Sequence, residues 1–207
     1  MKVDLHLHDS KYSNDSRVSI AEIIEEAKKK GLDGIALTNH ENIEVKKEVE
    51  ELVKKYQFPI FPGVEYLTKD GDIVAFGVDK LPEEQLTAQE FIDYVNNCGG
   101  VCTAAHPFRT NNRGLKEKLN IVKGLTAIEG YNGSTQDIHN DMAAQIGKKI
   151  GVQVIGSSDA HIQNKVGVFA TLLPYPVKNV KELIEALKTN KCKPLIFKDG
   201  KYEIIEY

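Results

Sequence analysis

This 207-residue sequence predicts an α/β fold with a parallel sheet, and a closed barrel more than an open sheet. Three observations carry that expectation. Short apolar runs alternate along the chain with amphipathic, Lys/Glu-rich stretches, the pattern of repeated β-α units. About seven strand-like runs occur without a dinucleotide-binding glycine fingerprint, which favours a barrel over a doubly wound sheet. The length suits one barrel-sized domain of about 200–250 residues. A chain this long buries roughly 70% of its unfolded surface and needs no staples.

The elements follow in order. "KVDLHLH" is strand-like, with Val3, Leu5 and Leu7 alternating with Asp4, His6 and His8. Residues two apart in a strand share a face, so both imidazoles project the same way. "SIAEIIEEAKKKG" is a helix: Ser19 caps it, Glu22 completes a capping box, and Gly31 stops it. "LDGIALTNH" is the next strand, followed by a charged helix around "IEVKKEVEELVKKY". "FPIFPGVE" and "DIVAFGV" are strands, and "TAQEFIDYVNNCGG" is a helix capped by Thr87. "VCTAAHP", "GLTAIEGYN" and "VQVIGSSDAH" are strand-like, separated by helical stretches near 115–122 and 135–150. "VKELIEALKTNK" is the last helix, and residues 193–206 read as a hairpin around Asp199-Gly200. No linker or low-complexity segment divides the chain, so residues 1–207 are expected to form a single domain.

Composition narrows the function classes. Hydrophobic residues make up 41% and charged residues 28%, as in an ordinary soluble globule. A net charge of −3 argues against sequence-blind binding of long nucleic acid. Small anionic substrates stay open, because a metal supplies positive charge locally. No run of about 18 apolar residues occurs, so no membrane partner is expected. Cys98, Cys102 and Cys192 show no CxxC spacing and read as reduced thiols, and a cytoplasmic location is expected. Oligomeric state is not encoded.

The strand ends carry the chemistry. His6 and His8 close the first strand, His40 the second and Glu65 the third. His106, Glu129, and Asp159 with His161 close later ones, and Asp15 lies in the loop after the first. A single His or Glu at such a place is ordinarily structural. Here five of the six histidines fall at strand ends, and His139, in the helical stretch 135–150, is the exception. In parallel barrels these ends meet at one mouth, where active sites sit. Imidazole and carboxylate suit zinc, manganese and iron. Nine candidate ligands over-supply one ion and serve two or three divalent ions well. A carboxylate such as Glu65 can bridge two of them.

The ordered set "DLHLH…SNDS…TNH…GVE…AHP…IEGYN…SSDAH" resembles the polymerase-and-histidinol-phosphatase (PHP) family of metal-dependent phosphoesterases. The resemblance implies a distorted (β/α)7 TIM-like barrel and a trinuclear centre. By motif, His6, His8, Glu65 and Asp159 would hold the first ion. Glu65, His106 and Glu129 would hold the second, and Asp15, His40 and His161 the third. Three positions depart from the usual pattern: Asn39 stands where Asp is frequent, Asp9 where a hydroxyl residue is common, and Glu129 or Asn132 where some members carry His.

The expected activity is hydrolysis of a small phosphate ester, monoester or diester, by a metal-bridging hydroxide, with Glu65, Asp159 and His161 as catalytic residues. Arg109 is the best candidate to grip the substrate phosphate, and guanidinium matches phosphate bidentately. Lys11, Lys165 and Asn132 are further substrate-binding candidates. Two alternatives stand beside this. An amidohydrolase-type metal hydrolase would usually show a bridging lysine at a strand end, and none is found. A non-catalytic, metal-stabilised PHP module should have lost ligands, and all nine positions keep plausible ones.

Overall fold

The computed structural model describes residues Met1–Tyr207 throughout. The strands in chain order are β1 (Lys2–Asp4), β2 (Gly34–Leu37), β3 (Ile60–Pro62), β4 (Val64–Thr68), β5 (Gly71–Phe76), β6 (Val101–Ala104), β7 (Ala127–Asn132), β8 (Gln153–Ser157), β9 (Phe169–Leu172), β10 (Lys193–Lys198) and β11 (Lys201–Ile204). The helices are α1 (Ile20–Lys29), α2 (Val49–Tyr56), α3 (Ala88–Asn97), α4 (Asp137–Ile150) and α5 (Val180–Lys188).

The strands form two mixed sheets and do not close into the expected (β/α)7 TIM-like barrel. The first has six strands in the order β11-β10-β9-β1-β2-β3, the second five in the order β4-β5-β6-β7-β8. The reason lies in pairing direction. "FPIFPGVE" is two strands, broken at Gly63, where a Cβ would lie 2.6 Å from the Phe76 ring. The chain leaves the first sheet there and turns back as a β4–β5 hairpin. β5 then pairs antiparallel with β6, while β6–β7 and β7–β8 are parallel. At the other seam a short strand in "VFATLL", unread in the sequence, becomes β9, antiparallel to β1 and β10. A side-chain bond stands between β8 and β9 in place of a ladder, Thr171 Oγ1 donating to the Gly156 carbonyl at 2.7 Å. The sheets are bridged at two single residue pairs, Leu7–Ala160 and His40–Glu65.

Local sequence explains the helices. α1 carries the capping box read from Ser19 and Glu22, and α3 the equivalent box from Thr87 and Glu90. The charged stretch before β3 is a 3-10 turn, Glu44–Lys47, and then α2. Residues Lys116–Asn120 also form a 3-10 turn where a helical stretch was expected. No helix is long and apolar enough to cross a membrane.

One core cluster lies between the sheets and includes Val3, Phe61, Phe76, Val101 and Ile155. Leu183, Ala186 and Leu187 of α5 close it at the end where β1 and β6 begin. Leu5 belongs to this core and Leu7 to the one under α1, so the chain after β1 buries both faces. The alternate positions, His6 and His8, are buried at the opposite end, beside the seam.

Candidate metal centre

Four donor atoms from distant parts of the chain converge at the seam: His6 Nε2, His8 Nε2, Glu65 Oε2 and Asp159 Oδ1. The two imidazole nitrogens are 3.0 Å apart. Glu65 Oε2 lies 3.3 Å from each, and Asp159 Oδ1 lies 3.5 Å from His6 and 3.3 Å from His8. Nitrogen and oxygen ligands arranged tetrahedrally about 2.0–2.1 Å from zinc are separated by roughly 3.3–3.4 Å. The cluster therefore has the spacing of a ligand set. Glu65 Oε2 is buried with no hydrogen-bond partner, although imidazole nitrogens surround it. A buried orphan oxygen is costly unless something cationic satisfies it.

The surrounding bonds aim the donors. His6 Nδ1 sits 2.9 Å from Glu129 Oε1, and His8 Nδ1 lies 3.3 Å from Ser13 Oγ, which donates to Asn39 Oδ1. Each partner holds the Nδ1 proton and leaves Nε2 facing the cluster, as metal-ligating histidines require. Burial disfavours a charged His6, yet the carboxylates of Glu129, Asp159 and Glu65 outweigh it and hold its pKa well above the ordinary imidazole value. Burial would raise Glu65 and Asp159, but the neighbouring histidines, His6 foremost, hold both well below the carboxylate range. Carboxylates that hold a proton this firmly on His6 suit a divalent cation in its place.

Two backbone positions here are strained. His106 has φ 29° and Asp159 φ 50°. Such left-handed conformations cost about 1–3 kcal/mol each and persist where the surroundings over-determine them. The His106 N–H donates to Glu129 Oε2 at 2.8 Å, and the Asp159 N–H to the His6 carbonyl at 2.8 Å.

Around this cluster lie two further sets. His40 Nδ1 is 2.9 Å from Glu65 Oε2, and Asp15 Oδ2 is 3.1 Å from His40 Nε2 and 3.3 Å from His161 Nε2. The His40 and His161 rings stack on His8, with centroids 4.3 and 4.2 Å away. This is the open side, with His40 22%, His161 26% and Asp15 57% exposed against 1% or less for the first set. Burial and the neighbouring His8 keep the His161 pKa below the usual imidazole value, which favours the neutral ring that ligation needs.

The other set joins Glu65 Oε1, 2.8 Å from His106 Nε2, to Asp72 Oδ2, 3.6 Å from the same nitrogen. Asp72 was not among the residues singled out from sequence. It is buried, its Oδ1 has no partner, and burial with nearby Glu65 raises its pKa to about 6. Glu129 approaches His106 through the backbone. Oε1 faces His6 and the Ser157 hydroxyl, and Oε2 accepts from the His106 N–H and from Asn132 Nδ2 at 2.7 Å. Both of its oxygens are thus met by protein groups, Oε1 by the His6 ring among them. Asp9 and Asn39, two of the unusual positions, face each other, with Asn39 Nδ2 donating to Asp9 Oδ2 at 2.6 Å.

The candidate cations differ in position. Arg109 Nη2 donates to Asp159 Oδ2 at 2.5 Å and to Asn132 Oδ1 at 3.0 Å, so Arg109 and Asn132 both belong to the rim of the cluster. Arg113, unread in the sequence, reaches Asp72 Oδ2 with Nε at 2.6 Å. Lys11 pairs with Glu48 on the surface, and Lys165 Nζ donates to the Gly133 carbonyl at 3.1 Å; neither contacts the cluster. His139 lies on α4, outside every donor group. His139→Gln is expected to leave metal content and turnover unchanged, as elemental analysis and a rate measurement would show. Loss of an ion in that variant would move the centre.

Comparison with known proteins agrees with the family resemblance read from the motifs. Residues 137–192, which carry Asp159 and His161, match the model of a PHP-associated family. An uncharacterized protein of Methanocaldococcus jannaschii is 29% identical over 154 residues, covering 69% of this chain and 89% of its own. A two-domain protein of Bacteroides vulgatus, containing a predicted PHP-like metal-dependent phosphoesterase, superposes with a TM-score of 0.72 at 21% identity. That match covers 95% of this chain and 65% of the other, so this chain spans about two thirds of that two-domain protein. An amidohydrolase from Chromobacterium violaceum, with sulfate bound, has a TM-score of 0.67 at 17% identity, covering 97% and 99% of the two chains. The lesion-specific endonuclease of Pyrococcus furiosus has a TM-score of 0.65 at 19% identity, covering 98% and 57%. At these identities the structures establish a shared fold.

Proposed function

We propose that this protein is a divalent-metal-dependent phosphoesterase acting on a small phosphate ester. The observation that carries the reading is the four-donor cluster at tetrahedral spacing, one donor of which is the orphaned Glu65 oxygen, with a second donor set sharing Glu65 and a third, His8, His40 and His161, sharing His8. His6, His8, Glu65 and Asp159 would hold the first ion, and Asp15, His40 and His161 a third on the open side. Glu65, His106 and Asp72 would hold the second, with Glu129 fixing the His6 ring. Zinc, manganese and iron all accept these donors.

When bound, such ions activate water at neutral pH and neutralise the phosphoryl oxygens. The protein's own groups do the rest. Arg109, 19% exposed above Asp159, is placed to receive a phosphate from the open side. Asp159 has one oxygen in the cluster and the other on Arg109, and a ligating His161 would keep its Nδ1 proton on the Asp159 carbonyl, so the proton for the leaving oxygen would come from water at the open side. The first set is buried, and His40, His161 and Asp15 form its more exposed side. A lysine-bridged amidohydrolase is the weaker reading, because Glu65 would take the bridging role and Lys11 and Lys165 bond elsewhere, to Glu48 and to the Gly133 carbonyl. Cys98, Cys102 and Cys192 are unpaired, which suits a reducing, cytoplasmic setting.

The protein as purified is expected to carry at least two transition-metal ions per chain. Elemental analysis below about one equivalent after supplementation would remove the multinuclear reading. The deciding experiment is a phosphate-release screen. Phosphomonoesters, diesters and short oligonucleotides are offered to chelated protein with manganese, zinc or iron restored one at a time. Metal-dependent release from a small ester supports the proposal. No release from any substrate by fully loaded protein would assign the centre a structural role.

A further inference from the structure

Asp72 already has a cation. Arg113 Nε donates to Asp72 Oδ2 at 2.6 Å, and Arg113 Nη2 sits 3.3 Å from His40 Nδ1. That carboxylate oxygen is also the one facing His106 Nε2 at 3.6 Å, across from Glu65 Oε1. A guanidinium from the loop after β6 therefore lies on the Asp72 oxygen nearest His106, where it neutralises the carboxylate that an ion between Glu65, His106 and Asp72 would share, while Oδ1 has no partner.

The contact is built into the backbone. The Asp72 N–H donates to the Arg113 carbonyl at 2.7 Å. Gly71, at φ 143°, lies so close to the next turn of that loop that a Cβ would stand 2.7 Å from the Gly114 carbonyl carbon. Gly114 in turn is seated on Pro107, where a Cβ would meet the carbonyl oxygen at 2.3 Å. The start of β5 and the Arg113 segment are thus one clamped unit. Arg113 is 31% exposed, so its side chain has solvent to swing into, whereas Asp72 is fully buried.

We propose that Arg113 is a built-in competitor for the second ion: it neutralises Asp72 until an ion displaces it, making that ion the weakest held of the centre. This rests on the metal centre of the preceding reading and concerns its loading order. The ion meets a competent Asp72 only in the fraction of molecules from which Arg113 has swung away, and its apparent dissociation constant rises by that factor. Once displaced, the guanidinium, already 3.3 Å from His40 Nδ1 through Nη2, would be released on the His40 side.

The test is calorimetric titration of chelated protein with manganese or zinc alone, without substrate. In the parent, the last equivalent should bind more weakly than the others. Arg113→Gln should tighten that equivalent about tenfold or more, or add an equivalent the parent does not show. Arg113→Lys, which keeps a cation, should stay within about threefold of the parent and guards against a folding artefact, with circular dichroism as the check. Asp72→Asn should abolish the same equivalent, and in that background Arg113→Gln should change nothing. The inference is overturned if Arg113→Gln leaves every equivalent unchanged or loosens the last one, or if Asp72→Asn keeps them all. Because the readout is ion binding, it is separate from the ester screen. Tightening without any hydrolysis would keep this inference and remove the phosphoesterase reading, and hydrolysis without tightening would do the reverse.

Discussion

Glu65→Gln is expected to lower turnover by about two orders of magnitude or more while the fold is kept. Glu65 reaches all three donor sets: Oε1 is 2.8 Å from His106, and Oε2 is 2.9 Å from His40 and 3.3 Å from His6 and His8. Glutamine fills the same volume but is neutral, and one end of its amide is a donor facing imidazoles that already present nitrogen. At least one neighbouring ion would lose its anionic oxygen. The backbone bridge between His40 and Glu65 does not involve the side chain, so the seam should survive. Steady-state rates, metal content and a thermal melt on one preparation check this. Turnover within about threefold of the parent would show that Glu65 bridges nothing.

The second large effect is expected at Arg109. Arg109→Ala should lower kcat/KM about 10- to 1000-fold on a phosphate substrate, and Arg109→Lys less, the range for losing a charge-assisted contact of about 1.5–4 kcal/mol. Its Nη2 is committed to Asp159, Asn132 and Thr135, and Nε to Thr135. The side chain is therefore pre-positioned and needs no ordering on substrate arrival. A gripping role predicts that KM rises and that inhibition by inorganic phosphate weakens in parallel, with ion content unchanged. If kcat/KM is unchanged in Arg109→Ala, the residue merely pairs with Asp159.

Much of the site could be read from sequence because it obeys a local rule. His6 and His8 alternate with Leu5 and Leu7, and His40, His106 and Asp159 follow apolar runs, so type and position together stood out. Asp72 and Arg113 obey no such rule. β5 runs antiparallel to its neighbours, so its beginning, not its end, reaches the rim where parallel β6, β7 and β8 end. "DIVAFGV" has the same alternation whichever way it pairs, and nothing in it reports direction. The barrel expectation failed for the same reason. Local pattern supplied strands and caps, as at Ser19 and Thr87, but direction is set by tertiary contacts such as Gly63 on Phe76 and by the overlooked β9. Arg113 is one charge in a polar loop of the sequence, and the close approaches of Gly71 and Gly114 that seat it on Asp72 are tertiary contacts.

The seam has a consequence for the lifetime of the molecule. At the site the backbones of the two sheets are joined by two single-residue bridges, and the donors come from both sides, His6, His8 and His40 from one and Glu65, His106 and Asp159 from the other. A bound ion there is a rivet between two plates. Filling one site at a hundred times its dissociation constant adds about 2.7 kcal/mol to the folded state, a large share of the roughly 5–15 kcal/mol that holds an ordinary domain together. Metal supply would then set how much of this protein a cell retains as well as how fast each copy works.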